Sequence, residues 1–174
     1  MSGLTPPVAK ADHRSGPDDA PVTLVEYGDF ECPACGAAYP NVEHARRKLG
    51  PRLRFVFRHF PLTQMHPHAM HAAEAAEAAG AQGKFWQMHA MLFEHQDALE
   101  DADLVAYAKA LHLDEKRFAS ELASEAYVKA IRKSVESGIH SGVNGTPTFF
   151  INGVRHDGSW EAADLLAAIE DAAA

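Results

Sequence analysis

Glu26-Tyr27-Gly28-Asp29-Phe30-Glu31-Cys32-Pro33-Ala34-Cys35 is the stretch on which the reading of this chain turns. It starts inside Val22–Tyr27 (VTLVEY), a β-branched run that reads as a mostly buried strand, and Gly28-Asp29 breaks that strand. Pro33 suits the first turn of a helix, where its missing N–H costs nothing. The helix is expected to run to about Leu49, with a kink at Pro40, before Gly50-Pro51 stops it. The chain has only 2 cysteines, Cys32 and Cys35, and both fall at this strand-to-helix junction. A helix start presents unpaired backbone N–H groups and the positive end of the dipole, which favour a thiolate and lower its pKa below about 8.5. The two thiols are one turn apart and can close a small disulfide. Cys32, at the helix start, is expected to be exposed and nucleophilic, and Cys35 to be more buried. Thiol–disulfide exchange needs that division: one thiol attacks and the other resolves the mixed disulfide. A bridge around so short a loop stabilises little, so a purely structural role is disfavoured. Two cysteines also cannot build a four-cysteine zinc site.

Outward from this junction, Leu53, Phe55 and Phe57 alternate with mostly basic residues between Arg52 and Arg58, the period-two pattern of a second strand. Strand, helix and strand in that order imply a right-handed crossover with parallel strands. From Pro67 to about Val143 the pattern is helical, with four or five helices broken near Gly80–Gly83, Gln96–Asp101, His112–Asp114 and Ser124. Their apolar faces are carried by Phe85, Met88 and Leu92, by Leu104 and Ala108, by Phe118, and by Ile131, Val135 and Ile139; Met65, Met88 and Met91 read as packing residues. Thr148–Ile151, Asn152-Gly153 and Val154–His156 read as a tight antiparallel hairpin. A last helix over Trp160–Ala172 buries Leu165, Leu166 and Ile169. The order β-α-β, helices, β-β-α is that of one α/β sheet with a helical insertion. Residues 1–20 read as an extended lead-in.

Across the 174 residues, 47% are hydrophobic and 23% charged, enough for a sizeable core. A formal charge of −8 argues against nucleic acid or an anionic membrane as the main partner. The basic residues Arg46, Arg47, Lys48, Arg52, Arg54 and Arg58 read as cations closing a helix C-terminus and a solvated strand face. No apolar run approaches the roughly 18 residues of a membrane span. The N-terminus lacks the apolar core of a secretory signal. As written the chain reads as cytoplasmic; removal of a signal would place it in the periplasm or outside the cell. His66, His68 and His71 make a transition-metal site conceivable, but ordinary solvated histidines are the preferred reading and no metal is expected. Phe30, Phe149 and Phe150 are candidates to line an apolar client groove, at least one of the last two being core.

Gly16-Pro17-Asp18-Asp19-Ala20-Pro21-Val22, the Glu26–Cys35 stretch and Gly145-Thr146-Pro147-Thr148-Phe149-Phe150-Ile151-Asn152-Gly153 together resemble the DsbA-like branch of the thioredoxin superfamily, over about residues 16–172. The resemblance implies a thioredoxin fold over residues 21–62 and 143–174, with a helical insertion over 63–142. It implies a thiol–disulfide oxidoreductase in which Cys32 attacks and Cys35 resolves. Pro147 matches the family's cis-proline beside the active disulfide, which would expose the backbone of Thr146 for pairing with an extended peptide. Pro33, Ala34 and Thr146 are the implied substrate-binding positions. Glu26 matches the family's buried acid, which could accept the proton of Cys35; otherwise it is a strand-end glutamate facing solvent. Strong oxidants of this family carry histidine where this chain has Ala34. Alanine offers the thiolate neither a cation nor a donor, so a weaker oxidant is expected and the direction of exchange stays open. The expected partners are protein or peptide thiols and disulfides and a redox partner, met by a monomer without a cofactor. The reading from another class is a redox-sensing peptide-binding or chaperone-like module without turnover.

Overall fold

The Val22–Tyr27 run and the Leu53–Phe57 alternation both form strands of one sheet, in a computed structural model that describes residues 3–174. The strands are β1 (His13–Ser15), β2 (Val22–Gly28), β3 (Leu53–His59), β4 (Thr148–Ile151) and β5 (Val154–His156), in the order β1-β3-β2-β4-β5. Between β2 and β3 runs α1 (Pro33–Leu49); α2 (Ala69–Ala81), α3 (Phe85–Glu94), α4 (Asp101–Ala110), α5 (Glu115–Ala123) and α6 (Val128–His140) precede β4, and α7 (Ala162–Ala173) ends the chain. The helix breaks therefore fall where the sequence places them. Two compact units result. One holds the residues up to Gly28, Ala37–Arg58 and Glu136–Ala174; the other holds Asp29–Gly36 and His59–Val135.

In the sheet unit, β4 pairs antiparallel with β2, setting Glu26 opposite Phe149 and Tyr27 opposite Thr148. β4 then turns into β5 through Asn152 and Gly153, whose φ values of 50° and 81° are those of a type I′ hairpin turn. Both Phe149 and Phe150 are buried, with Leu165 and Ile169 of α7 also in the core, so neither phenylalanine lines a groove. β1 pairs antiparallel with β3 in a segment where sequence analysis finds only a lead-in. Three residues are too few to show a period.

Arg58 corrects the solvated-face reading, since it is only 6% exposed. Its Nε donates to Asp12 Oδ1 at 2.8 Å, its second terminal nitrogen to Asp12 Oδ2 at 3.0 Å and to Pro6 O at 3.0 Å, and its first to the Tyr27 hydroxyl at 2.9 Å. Burial works against its charge, but Asp12 and Tyr27 outweigh that and hold the guanidinium above its ordinary pKa. Arg46 stays nearer the surface, bonded to Glu43 and Ser15 and lying over the Phe55 ring.

The helical unit is organised around α2, whose Ala72, Ala73, Ala75, Ala76, Ala78 and Ala79 are all buried. Small side chains on nearly every face let neighbouring helices approach closely, so this helix sits inside the unit. Phe85, Met88, Leu92, Leu104, Phe118 and Ile131 complete that core. Ile139 and Met65, expected to pack, are 60% and 72% exposed.

Candidate active site

α1 begins at Pro33, and the carbonyl of Cys32 accepts the first helical bond from Gly36 N at 3.1 Å. Cys32 is therefore the residue just outside the helix, next to its unpaired N–H groups. Both cysteines are thiols. Cys35 is 0% exposed and Cys32 6%, so their order is as expected, but Cys32 is far less open than a surface thiol. Pro33 is exposed and Ala34 half-buried, which leaves the two intervening residues the more open part of the turn.

The turn is tied down by residues on both sides of it, all within the helical unit. Asp29 is buried, and its carboxylate accepts from Glu31 N at 2.8 Å, Leu62 N at 2.9 Å and His66 Nδ1 at 2.8 Å. Phe30 is buried among aromatic rings, 4.8 Å from the centroid of Phe93 and 5.7 Å from that of His89. It anchors the loop rather than lining a groove. Glu31 accepts from the backbone N of His68 at 2.8 Å and from its Nδ1 at 2.7 Å. Gln96 donates through Nε2 to Phe30 O at 2.9 Å and to Cys32 O at 2.8 Å. Gly36 makes room for that amide, because a Cβ there would stand 2.0 Å from Gln96 Oε1. One side chain thus holds the Phe30 carbonyl and adds a second donor to the Cys32 carbonyl, which already accepts from Gly36 N.

His66, His68 and His71 do not converge on a common centre. Each bonds a different carboxylate, Asp29, Glu31 and Asp101 respectively, and the first two brace the cysteine turn. His66 and His68 are thus paired to the turn instead of standing as ordinary solvated side chains. The bracing roles of Asp29, Glu31 and Gln96 have no signature in the sequence. Asp29 and Glu31 lie within three residues of Cys32, but nothing local marks His66 and His68 as their partners or Gln96 as the donor to the carbonyls of Phe30 and Cys32.

In the sheet unit, Glu26 lies on β2 and is 2% exposed, which removes the solvent-facing alternative. The Thr146–Pro147 peptide is cis, at the entry to β4. The Thr148 hydroxyl donates to Gly145 O at 2.7 Å and closes that turn.

A family model described as thioredoxin matches residues 9–171. Among solved structures, the chain resembles oxidised BdbD from Bacillus subtilis with a TM-score of 0.86 and 24% identity, covering 99% of this chain and 97% of that one. A thioredoxin-like oxidoreductase from Silicibacter pomeroyi is 26% identical with a TM-score of 0.82, over 94% and 93% of the two chains. Among curated proteins, the Na(+)/H(+) antiporter NhaA 1 of Salinispora arenicola is 50% identical over 161 residues, 92% of this chain but 24% of that protein. The antiporter NhaA of Herminiimonas arsenicoxydans is 44% identical over 168 residues, 96% of this chain and 27% of that protein. The chain thus spans about a quarter of the length of the curated relatives it matches.

Proposed function

Because this chain belongs to the thioredoxin family, with the fold of its DsbA-like branch, we propose that it is a thiol–disulfide oxidoreductase working through Cys32 and Cys35. The observation that carries the proposal is the position of the pair, one thiol just before the first turn of α1 and slightly open, the other inside that turn and closed off. The helix start favours the Cys32 thiolate, which attacks a sulfur of a client disulfide and expels the first client thiolate. The Cys35 thiol gives up its proton and attacks the Cys32 sulfur. The second client thiolate then leaves, the client has gained two electrons and the pair is a disulfide. Run backwards, the same steps oxidise a client dithiol; the relative potentials of the pair and its redox partner set the direction.

Glu26, buried on its strand, is the proposed acceptor of the Cys35 proton. Pro147, Thr146, Pro33 and Ala34 are proposed to receive an extended stretch of a client protein. The division into a thioredoxin-like part, residues 21–62 and 143–174, and a helical insertion, residues 63–142, belongs to the same reading. Ion exchange is a property named for the longer antiporters and is not carried to this chain. No described helix is long and apolar enough to cross a membrane.

Insulin reduction in the presence of dithiothreitol tests the proposal. Wild type is expected to turn over and Cys32→Ser to lose all activity above background. Cys35→Ala is expected to accumulate clients as mixed disulfides that a Cys32→Ala control does not capture. A wild type without turnover would leave the redox-sensing, peptide-binding module as the better description. Ala34→His supplies the missing donor to the thiolate and is expected to make the disulfide a stronger oxidant in glutathione equilibration; an unchanged equilibrium would exclude this position as a tuning residue.

A further inference from the structure

Away from the cysteine turn, the helical unit contains a cavity of about 340 Å³. Glu74 of α2 lines it at only 2% exposure, and its Oε1 is buried with no hydrogen-bond partner among the described residues. His71, one turn earlier on α2, lines the same space, as do Asp101 at the start of α4 and Glu125 just beyond α5. His71 Nδ1 donates to Asp101 Oδ1 at 2.8 Å. Glu125 has a φ of 54° and is fixed there by its N–H to Leu122 O and by Ala126 N to Glu121 O, the bonds that close the C-terminal end of α5. That helix end contributes its own partial negative charge. The lining therefore offers three carboxylates and no lysine or arginine, while Val105, Leu122, Ala119 and Ala123 make the remaining wall largely aliphatic.

A buried acceptor without a donor is costly to keep, of the order of 1–3 kcal/mol, unless something meets it. Burial is also the main influence raising the Glu74 carboxyl above its ordinary range; His71 opposes this, and Glu125 and Asp101 reinforce it. A divalent metal fits poorly, because no three of the donor atoms of His71, Glu74, Asp101 and Glu125 come within 4.8 Å of one another, as a shared ion would require. A cationic nitrogen on a hydrocarbon stem matches both halves of the lining, and the volume lies at the small end of ligand cavities.

We propose that this cavity binds an alkylammonium group, from a lysine side chain or a free aliphatic amine, with its N–H donating to Glu74 Oε1 and its stem against Val105 and Leu122. His71, Asp101 and Glu125 form the polar rim.

The test is a titration of the full chain, followed by amide chemical shifts, with n-butylammonium, with an acetylated and amidated Gly-Lys-Gly peptide, and with n-butanol, Mg²⁺ and Zn²⁺ as comparisons. Saturable shifts confined to α2, α4 and the end of α5 are expected with butylammonium or the peptide, and whichever saturates at the lower concentration identifies the source. Glu74→Gln is expected to weaken binding at least tenfold. Glu125→Gln, at the exposed rim, is expected to weaken it about threefold and decides the matter if the Glu74 variant does not fold. The proposal is overturned if butanol binds as tightly as butylammonium, if a metal binds and neither ammonium compound does, or if no probe gives saturable shifts.

Discussion

Arg58 in the sheet unit and Glu74 in the helical unit are both ionisable groups taken almost entirely out of water, and they are treated in opposite ways. Arg58 meets a bidentate carboxylate, a phenol and backbone carbonyls, and its charge is held on. Glu74 keeps a buried oxygen unmatched beside a cavity, and burial raises its carboxyl above the ordinary range. The contrast separates a buried charge that the framework matches from a buried acid that it leaves unmatched. Gln96 shows that the helical unit can satisfy buried polar groups, since it meets two carbonyls at once. The exception at Glu74 is therefore local to its cavity.

Asp12→Ala strips Arg58 of its carboxylate and should have the largest effect. About 3 kcal/mol of destabilisation is expected, a fall of roughly 6–12 °C in Tm for a chain of this size. A calorimetric scan showing a change below about 2 °C would mean that Arg58 is not the framework charge described here. Gln96→Ala removes the amide donor from Phe30 O and one of the two donors from Cys32 O and should cost about 1–2 kcal/mol. Gly36→Ala drives a Cβ into the same amide, so the double variant should cost little more than either single one; strict additivity in denaturant unfolding would separate the two residues. The smallest effect is expected from Glu74→Gln, a rise of about 2–4 °C in Tm at pH 7.

The sign at Glu74 follows from linkage. Its folded pKa is raised, so its favourable contribution is complete below the unfolded value of about 4.3 and is lost as pH rises through the folded one. The Tm gap between Glu74→Gln and wild type should accordingly close as the pH falls towards 4. A gap independent of pH would place the effect in packing instead of charge.

Much of the architecture was legible beforehand because it is written in short periods. The alternation through Leu53, Phe55 and Phe57, the Asn152-Gly153 turn and the helix breaks between α2 and α6 all depend on neighbours within a turn or a hairpin. β1 escaped because its pairing with β3, not any pattern of its own, makes it a strand. The burial of Arg58 is not legible in the sequence, because an alternating strand predicts a face for each side chain but not whether another segment covers that face. Asp12, which covers it, lies 46 residues away. The same holds for the histidines at 66, 68 and 71, which read as ordinary solvated side chains and whose carboxylate partners, Asp29, Glu31 and Asp101, lie 30 or more residues away in the sequence.

By itself, then, the order of residues determined where helices start and stop, which thiol stands at the mouth of α1, and how β4 returns through β5. Each of these is settled by backbone preference and by periodicity over a few residues. Only the folded chain decided that Gln96, 64 residues from Cys32, would hold its carbonyl, that the Thr146–Pro147 bond would be cis, and that Glu74 would be left facing a hollow. Those outcomes depend on which distant segments exclude water together, and burial of that kind is a property of the packed molecule.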